Sequence, residues 1–445
     1  MHAAAPVSYL ALLKRQPTFR RIWLGDVVSL TGDWFATISL LALMLELTGK
    51  GEAVAAVLVA RFLPALLVGP IAGAVADRVD RRVVLVVCDV LRAIVVLGYL
   101  LVRQRADVPL AWLLAFLQAL VAAFFDPTEQ AAVAAVVDRD DIVAANALQG
   151  ATWSAMLALG ALVGGAVAQW AGRDAAFVLN AITYLVSAVL IAGARIPVTP
   201  SSPGTRAGRP HDRSALHALR SLLGVDEVLE GLRFIAREPG VRRALLAKAG
   251  WGLSGGGAIL LYSVFGERVF TSAGGAASAI GALYAARGLG ALIGPTAARW
   301  ALGESEGVLD RCIGLGFWVL GLAYALFGAA PRLWAGALAL VLAHMGASTL
   351  WSFSNSLLSL RVPNRFRGRA FAADLAAQTV TMAASTWATG YALDHLGLSP
   401  RLIMEILAGL MVLPAIAWMA TPKHLRATSA EAPRLASKPE LAGPS

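Results

Sequence analysis

Asp26, Asp33 and Arg61 are the residues whose type and spacing first suggest chemistry, because each interrupts a long apolar run. Asp26 and Asp33 are seven residues apart. On a helix that spacing puts both on one face, about 10 Å apart along the axis. Arg61 falls in the next apolar run at a similar depth, about 5 Å further out by helix rise, so all three can border one cavity. A charge at the centre of a membrane is costly and marks a functional position by default. A carboxylate there that takes up a proton loses its charge in a poorly screened surround, which suits ion coupling or substrate binding. Glu405, at the position in the last run that matches Asn180 in the sixth, joins these three as a candidate. Lys248, Arg287, His344 and Asp374 are the other polar interruptions. His344 reads as a hydrogen-bonded core histidine, and Asp374 sits near enough to a run end to belong to a loop network or to the site.

Other chemistries lack their residues. The chain has no G-x-x-x-x-G-K-[ST] phosphate loop and no H-E-x-x-H pair, and no Ser/His/Asp set can be assembled. Cys88 and Cys312 are the only cysteines and read as small buried hydrophobes, not as a metal or disulfide framework. An enzyme is therefore not expected, and no cofactor is needed beyond an ion gradient, with the proton gradient as the energy source.

The elements that position these charges follow from composition. Of 445 residues, 58% are apolar and 15% charged. Mean hydropathy is +0.67. An ordinary soluble protein carries about 25% charge, so this chain cannot cover a water-facing surface of its size. Its principal partner is the lipid bilayer. About 20 apolar residues make a membrane-crossing helix, and twelve such runs are expected at approximately 22–46, 53–76, 83–102, 108–126, 147–170, 175–194, 244–266, 276–300, 308–329, 332–357, 371–393 and 400–420. A loop of about twenty residues is expected after Asp126, where Pro127 follows. The Pro/Ser/Gly/Arg tract PVTPSSPGTRAGRPHDRS reads as linker, and 216–237 as a helix lying on the membrane surface. The organisation expected is a 1–21 cytoplasmic segment, a 22–194 six-helix bundle, a 195–243 cytoplasmic loop, a 244–420 six-helix bundle and a 421–445 cytoplasmic tail.

Basic residues set the orientation. The net charge is +10, and most of the 38 Lys and Arg fall in segments on one side. The other side holds Lys50, Arg103, Arg105, Arg173, Arg268, Arg332 and Arg401. The positive-inside rule then places both termini in the cytoplasm, in a plasma-membrane protein. This membrane pattern, and not nucleic acid, accounts for the basic balance. At the N-terminus the apolar stretch precedes Lys14, Arg15, Arg20 and Arg21, the reverse of a secretory signal, so a short surface helix without cleavage is expected.

The two halves repeat. ARFLPALLVGP (60–70) returns as ARGLGALIGP (286–295), aligning Arg61 with Arg287 and Gly69 with Gly294. VVDRDD (136–141) likewise aligns with RVPNRF (361–366), each after a fourth span. An all-α membrane fold of two pseudo-symmetric six-helix bundles around a midplane site is the arrangement such a repeat produces.

The junction between the second and third spans reads G-A-V-A-D-R-V-D-R-R, Gly73 to Arg82. It resembles the signature loop of the major facilitator superfamily, G-x-x-x-D-R-x-G-R-[RK], with Asp80 where that pattern has Gly. FRRIWLGDVVSLTGDWF (19–35), LPALLVGPIAG (63–73), DVLRA (89–93) and FVLNAITYLVSA (177–188) narrow the likeness to the branch of macrolide-efflux proteins and siderophore exporters. The equivalent loop of the second half, GPTAARWALGESEG, has lost the Asp-Arg pattern. The resemblance implies the major facilitator fold and a cytoplasmic latch at Gly73, Asp77, Arg78, Arg81 and Arg82. Asp89 and Arg92, at i and i+3 on the next helix, share a face and join that network. Removing the charge of Asp77 is expected to disturb gating more than folding. In the fifth span, Gly160, Gly164 and Gly165 resemble part of the antiporter motif G-x-x-x-G-P-x-x-G-G, with Ala161 in place of its proline and Met156 of its first glycine. Small residues so spaced equally serve close helix packing.

Twelve tryptophans exceed what interfacial belts need, so some should line the interior. The aromatic candidates are Trp23, Trp34, Phe35, Trp153, Tyr184, Trp251, Tyr262, Trp351, Phe353 and Trp387. Aromatic walls suit large amphipathic or cationic molecules better than sugars. The reading of the sequence is a monomeric exporter of a small amphipathic substrate driven by proton antiport. The alternative is an ion-coupled importer of a small nutrient on the same fold.

Overall fold

In lipid every backbone polar group must be satisfied within its own segment, and the apolar runs accordingly form helices. The structure, a computed structural model, describes residues 9–138, 141–197, 233–270, 275–303 and 305–421. The linker tract, most of the surface helix expected at 216–237 and nearly all of the 421–445 tail lie outside the described residues. The helices are α1 (Tyr9–Arg15), α2 (Pro17–Thr48), α3 (Gly51–Arg78), α4 (Arg81–Gly98), α5 (Val108–Val136), α6 (Ile142–Trp170), α7 (Arg173–Ala192), α8 (Pro239–Val264), α9 (Gly275–Leu302), α10 (Glu306–Ala329), α11 (Leu333–Arg361), α12 (Asn364–Asp394), α13 (Pro400–Leu410) and α14 (Val412–Ala420). No strand occurs among the described residues.

Eleven segments are long and apolar enough to cross a membrane. The twelfth, α12, has the length at 31 residues but is too polar. Its polar side chains have a specific use. Thr381, Ser385, Thr386 and Thr389 press on Gly252, Gly256 and Gly257 of α8, where an added Cβ would strike them. Ser385 also accepts a hydrogen bond from the Gly257 amide at 3.1 Å. Small residues thus let two backbones approach while hydroxyls join them. The last span, expected as one helix, is α13 and α14 divided at Met411. Pro414 explains the break, because its ring excludes a regular carbonyl four residues earlier.

The loop expected after Asp126 is not there. Helix α5 continues through Pro127 to Val136. Burial of Thr128, Glu129, Ala132 and Val133 outweighs the one lost N–H. α1 is the short N-terminal helix expected, tied to the α5–α6 connection by Arg15 to Asp141 at 3.0 Å and Gln16 to Asp138 at 2.7 Å.

Helix neighbours repeat between halves. α2 packs on α6 and α7, as α8 packs on α12 and α13. α3 and α4 pack on α5, as α9 and α10 pack on α11. The two halves meet along α6–α9 and along α3–α12, which are themselves equivalent pairs. Within the second half, Arg243 and Asp310 form a buried ion pair, with Trp418 stacked 3.6 Å from the guanidinium carbon. Removing one member of such a pair strands the other without compensation. Asp310→Ala should lower the stability of purified protein by about 3 kcal/mol, read from thermal unfolding in detergent. An unchanged unfolding temperature would show that the pair contributes no net stability.

Candidate functional site

The halves close on each other at the end that carries Lys50 and Arg268. Asp394, the last residue of α12, accepts from the Gly51 and Glu52 amides at the start of α3, at 3.1 and 2.7 Å. His395 reaches Glu52 at 2.8 Å, and Arg268 donates to the Gly49 carbonyl at 2.6 Å. Gly49 ends α2 in the left-handed region at φ 61°, which turns that carbonyl toward Arg268. A carboxylate on a helix N-terminus satisfies orphan amides and the helix dipole together. Asp394→Ala should remove about 1 kcal/mol from the closed arrangement, a roughly fivefold shift toward opening at this end. Maleimide labelling of an Ala55→Cys reporter, buried between α3 and α12, should quicken accordingly. Unaltered labelling would show that Asp394 does not hold this end shut.

At the other end, with Arg78, Arg81 and Arg82, the molecule opens. Gly69 and Gly73 of α3, Gly150 of α6 and Gly368 of α12 face empty space. Gly73 has no neighbour within 4 Å of where its Cβ would lie. The side chain of Asp77 lies outside the described residues. Arg78 and Arg82 are exposed, and Arg81 donates to the Ala76 carbonyl at 3.2 Å. Asp80 makes up for the missing glycine by accepting from the Arg82 amide at 2.9 Å, an N-cap for α4. Asp89 and Arg92 do not join this loop. They pair at 2.5 Å inside the first half, with Arg92 between the rings of Phe125 and Tyr184.

Two cavities meet at Arg61. The smaller, about 180 Å³, is bordered by Asp33, Arg61, Arg92, Gln118, Asp126 and Tyr184. Asp33 accepts from the Tyr184 hydroxyl and, at 3.3 Å, from Gln118. Arg61 donates to Thr37 at 2.7 Å and shares this cavity's wall with Asp33 without bonding it directly. Asp26, half-buried on α2, borders neither of the two cavities, so of the three charges expected on one cavity only Asp33 and Arg61 share a wall. Glu129, three residues beyond Asp126 on α5, is buried and accepts from Gln149 at 3.0 Å. Asp126 and Glu129 are the residues that sequence reading missed. Asp126 is expected at a span end and Glu129 in the loop after it, and the i, i+3 spacing of D-P-T-E was the available signal.

The larger cavity, about 600 Å³, lies between the halves. Trp153, Trp251, Trp351, Phe62, Arg61 and Arg287 are among its walls. Of the other aromatic candidates, Tyr184 borders the smaller cavity, and Trp34 meets Trp153 edge to face with ring centres 6.5 Å apart. Phe35, Tyr262 and Phe353 are core, Trp23 bonds Thr152, and Trp387 faces outward. His344 borders the cavity and meets the Tyr262 hydroxyl at 2.9 Å, as a satisfied histidine should. Lys248 is paired with Asp374 and donates to Asn355 at 2.6 Å, which places Asp374 in the second half's interior. Glu405 corrects an expectation. It is exposed, beside Gly328, and borders neither cavity. Alignment with Asn180, which is buried, gave it the wrong face of its helix.

The three glycines of α6 are contact points. Gly160 and Gly164 face Trp34 and Phe35 of α2, and Gly165 faces Ala277 and Gly281 of α9 across the halves. Among the described residues, no cluster of three or more His, Cys, Asp or Glu is placed to hold a metal.

Twelve helices in two equivalent sets around a cavity open at one end define a membrane transporter of the major facilitator type. The family profile described as transmembrane secretion effector matches residues 7–442, and the chain belongs to that family, a group of multi-pass membrane transporters and not enzymes. MFS-type transporters of this kind work without a cofactor. Among relatives, the uncharacterised MFS-type transporter YkuC of Bacillus subtilis is 29% identical over 32% of this chain and 33% of its own length. A candidate bacilysin exporter of the same organism, BacE, is 27% identical over 42% of this chain and 46% of its own. The chain thus aligns with less than half the length of these two relatives. The uncharacterised MFS-type transporter Rv0037c of Mycobacterium tuberculosis is 29% identical over 67% of this chain and 69% of its own. Among solved structures, a peptide transporter POT in complex with sulfate superposes with TM-score 0.71 at 13% identity, covering 95% of this chain and 97% of that one. A bacterial homologue of the human lysosomal transporter Spinster gives 0.67 at 14%, covering 91% and 97%. At such identities these likenesses establish the fold.

Proposed function

We propose that this protein exports small amphipathic molecules across the plasma membrane by proton antiport, with both termini in the cytoplasm. The observation that carries the reading is the smaller cavity. Two carboxyl groups, Asp33 and Asp126, border it beside Arg61 and Arg92, and a third, Asp89, is paired with Arg92. In a poorly screened interior, like charges so crowded are relieved by taking up cations, and protons need no coordination space. Arg61 borders this cluster and the substrate-sized cavity alike, so charge uptake on one side is felt on the other.

The open end carries the arginine-rich loop and is the cytoplasmic one on the positive-inside rule. Substrate enters there. The 22–194 and 244–420 bundles then rock about their contacts, opening the end held by Asp394 and closing the loop bearing Asp77, Arg78, Arg81 and Arg82. The likeness of part of the chain to a candidate bacilysin exporter supports the outward direction.

Flux into proteoliposomes, screened across lipophilic antibiotics, dyes and siderophores, tests this. An imposed pH gradient should drive at least one of them against its own gradient. Flux unaffected by the pH gradient but driven by sodium would overturn the proton coupling.

A further inference from the structure

We infer that the substrate is an amphipathic anion, whose acidic oxygens bind between Arg61 and Arg287. The inference rests on the transporter reading above and specifies the ligand of the same cavity.

Arg61 and Arg287 occupy equivalent positions of the two repeats, on α3 and α9, and both border the central cavity. No Asp or Glu borders it. Arg61 has the Thr37 hydroxyl as its hydrogen-bond acceptor, and Arg287 has the ring of Tyr284 at 5.8 Å. Neither forms an ion pair among the described residues. The next cation, Lys248, is already matched by Asp374. Asp33 and Asp126 meet Arg61 only at the smaller cavity, so the fixed charge on the walls of the larger one is positive, and it comes from both halves.

An unmatched guanidinium at mid-membrane is costly, and a cavity that retains two of them needs an anion to complete it. Guanidinium groups present paired N–H donors that fit carboxylate, sulfonate or phosphonate oxygens. Trp153, Trp251 and Trp351 offer an apolar surface for the rest of the ligand. The volume of about 600 Å³ suits a molecule of drug size. A cationic substrate, which the aromatic content alone would equally allow, meets two like charges. An anion spanning Arg61 and Arg287 also ties one half to the other, because each arginine belongs to a different bundle.

The test uses the full chain in phosphatidylcholine nanodiscs and three probes that share a fluorophore: dansylglycine, dansylglycinamide and dansylcadaverine. Energy transfer from tryptophan to dansyl reports occupancy. A charge-assisted bond to a guanidinium predicts that anionic dansylglycine binds at least about tenfold tighter than the neutral amide. The cationic probe should bind more weakly than the amide. That ratio should collapse in Arg61→Gln and in Arg287→Gln, and persist in the Lys variants, which keep the charge. Because it is taken within one preparation, a general loss of folded protein leaves it untouched. Equal binding of all three probes, tighter binding of the cation, or a ratio that survives both Gln variants would overturn the proposal. Repetition with phosphatidylglycerol discs separates a soluble anion from a lipid headgroup. If phosphatidylglycerol abolishes dansylglycine binding, the arginines belong to lipid and the substrate assignment fails. No ion gradient is involved, so failure here leaves the export reading standing. Loss of pH-driven flux with the charge ratio intact would sink export alone.

Discussion

Asp33→Asn is expected to abolish pH-driven efflux while substrate still binds. The amide can still accept from Tyr184 and Gln118, so the local packing has no reason to collapse. What disappears is the alternation between a charged and a neutral group, and with it the bias between two bundle arrangements. A ligand or proton can shift an equilibrium only by its differential affinity for the two states, and the Asn side chain has none for protons. Vesicles carrying wild type and variant at matched expression should show pH-driven transport reduced by more than tenfold, roughly 1.4 kcal/mol of lost coupling or more. Equilibrium exchange of labelled substrate should persist. Undiminished pH-driven transport by the variant would remove Asp33 from the mechanism, and Asp26, Asp126 and Glu129 would be the next groups to test.

Gly281→Val should act through shape instead of charge. An added Cβ on Gly281 would lie 2.5 Å from the Ala161 carbonyl oxygen and 3.1 Å from the Gly165 Cα, both backbone atoms of the opposite half. Neither can move aside as a flexible side chain would. Overpacking of this kind costs about 1–3 kcal/mol, enough to shift a two-state equilibrium about fivefold or more. The cost falls on the closed α6–α9 contact and spares the interior of each bundle. Normal membrane insertion with transport reduced about tenfold is expected, together with faster labelling of the Ala55→Cys reporter. Wild-type transport by Gly281→Val would mean that the α6–α9 contact can loosen without penalty.

What could be read in the sequence was what lipid dictates. All twelve apolar runs became membrane-length helical segments, and the Arg61/Arg287 repeat placed both side chains on one cavity because a pseudo-twofold fold carries equivalent residues to equivalent places. Depth along a helix was readable from residue count, but the facing of a side chain was not. Glu405 shows the difference, since its depth suited a coupling role and its face did not. Asp33 and Arg61 likewise share a depth, yet Thr37, Tyr184 and Gln118 supply their nearest partners. Asp126 and Glu129 were hidden by Pro127, whose usual meaning as a helix stop yields here to burial of the turn that follows. The glycines of α6 belong to a third case. Their spacing showed that something packs closely, and only the folded chain shows that Gly165 meets the other half.

The antiport account is tested most directly by watching the protons themselves. Proteoliposomes loaded with a pH-sensitive dye, held at zero membrane potential with no pH gradient, receive an inward gradient of the transported molecule. Substrate movement into the lumen should be accompanied by proton movement out of it, with lumenal alkalinisation that Asp33→Asn abolishes. Lumenal acidification in step with substrate entry, or substrate movement with no proton response in the wild type, would contradict it.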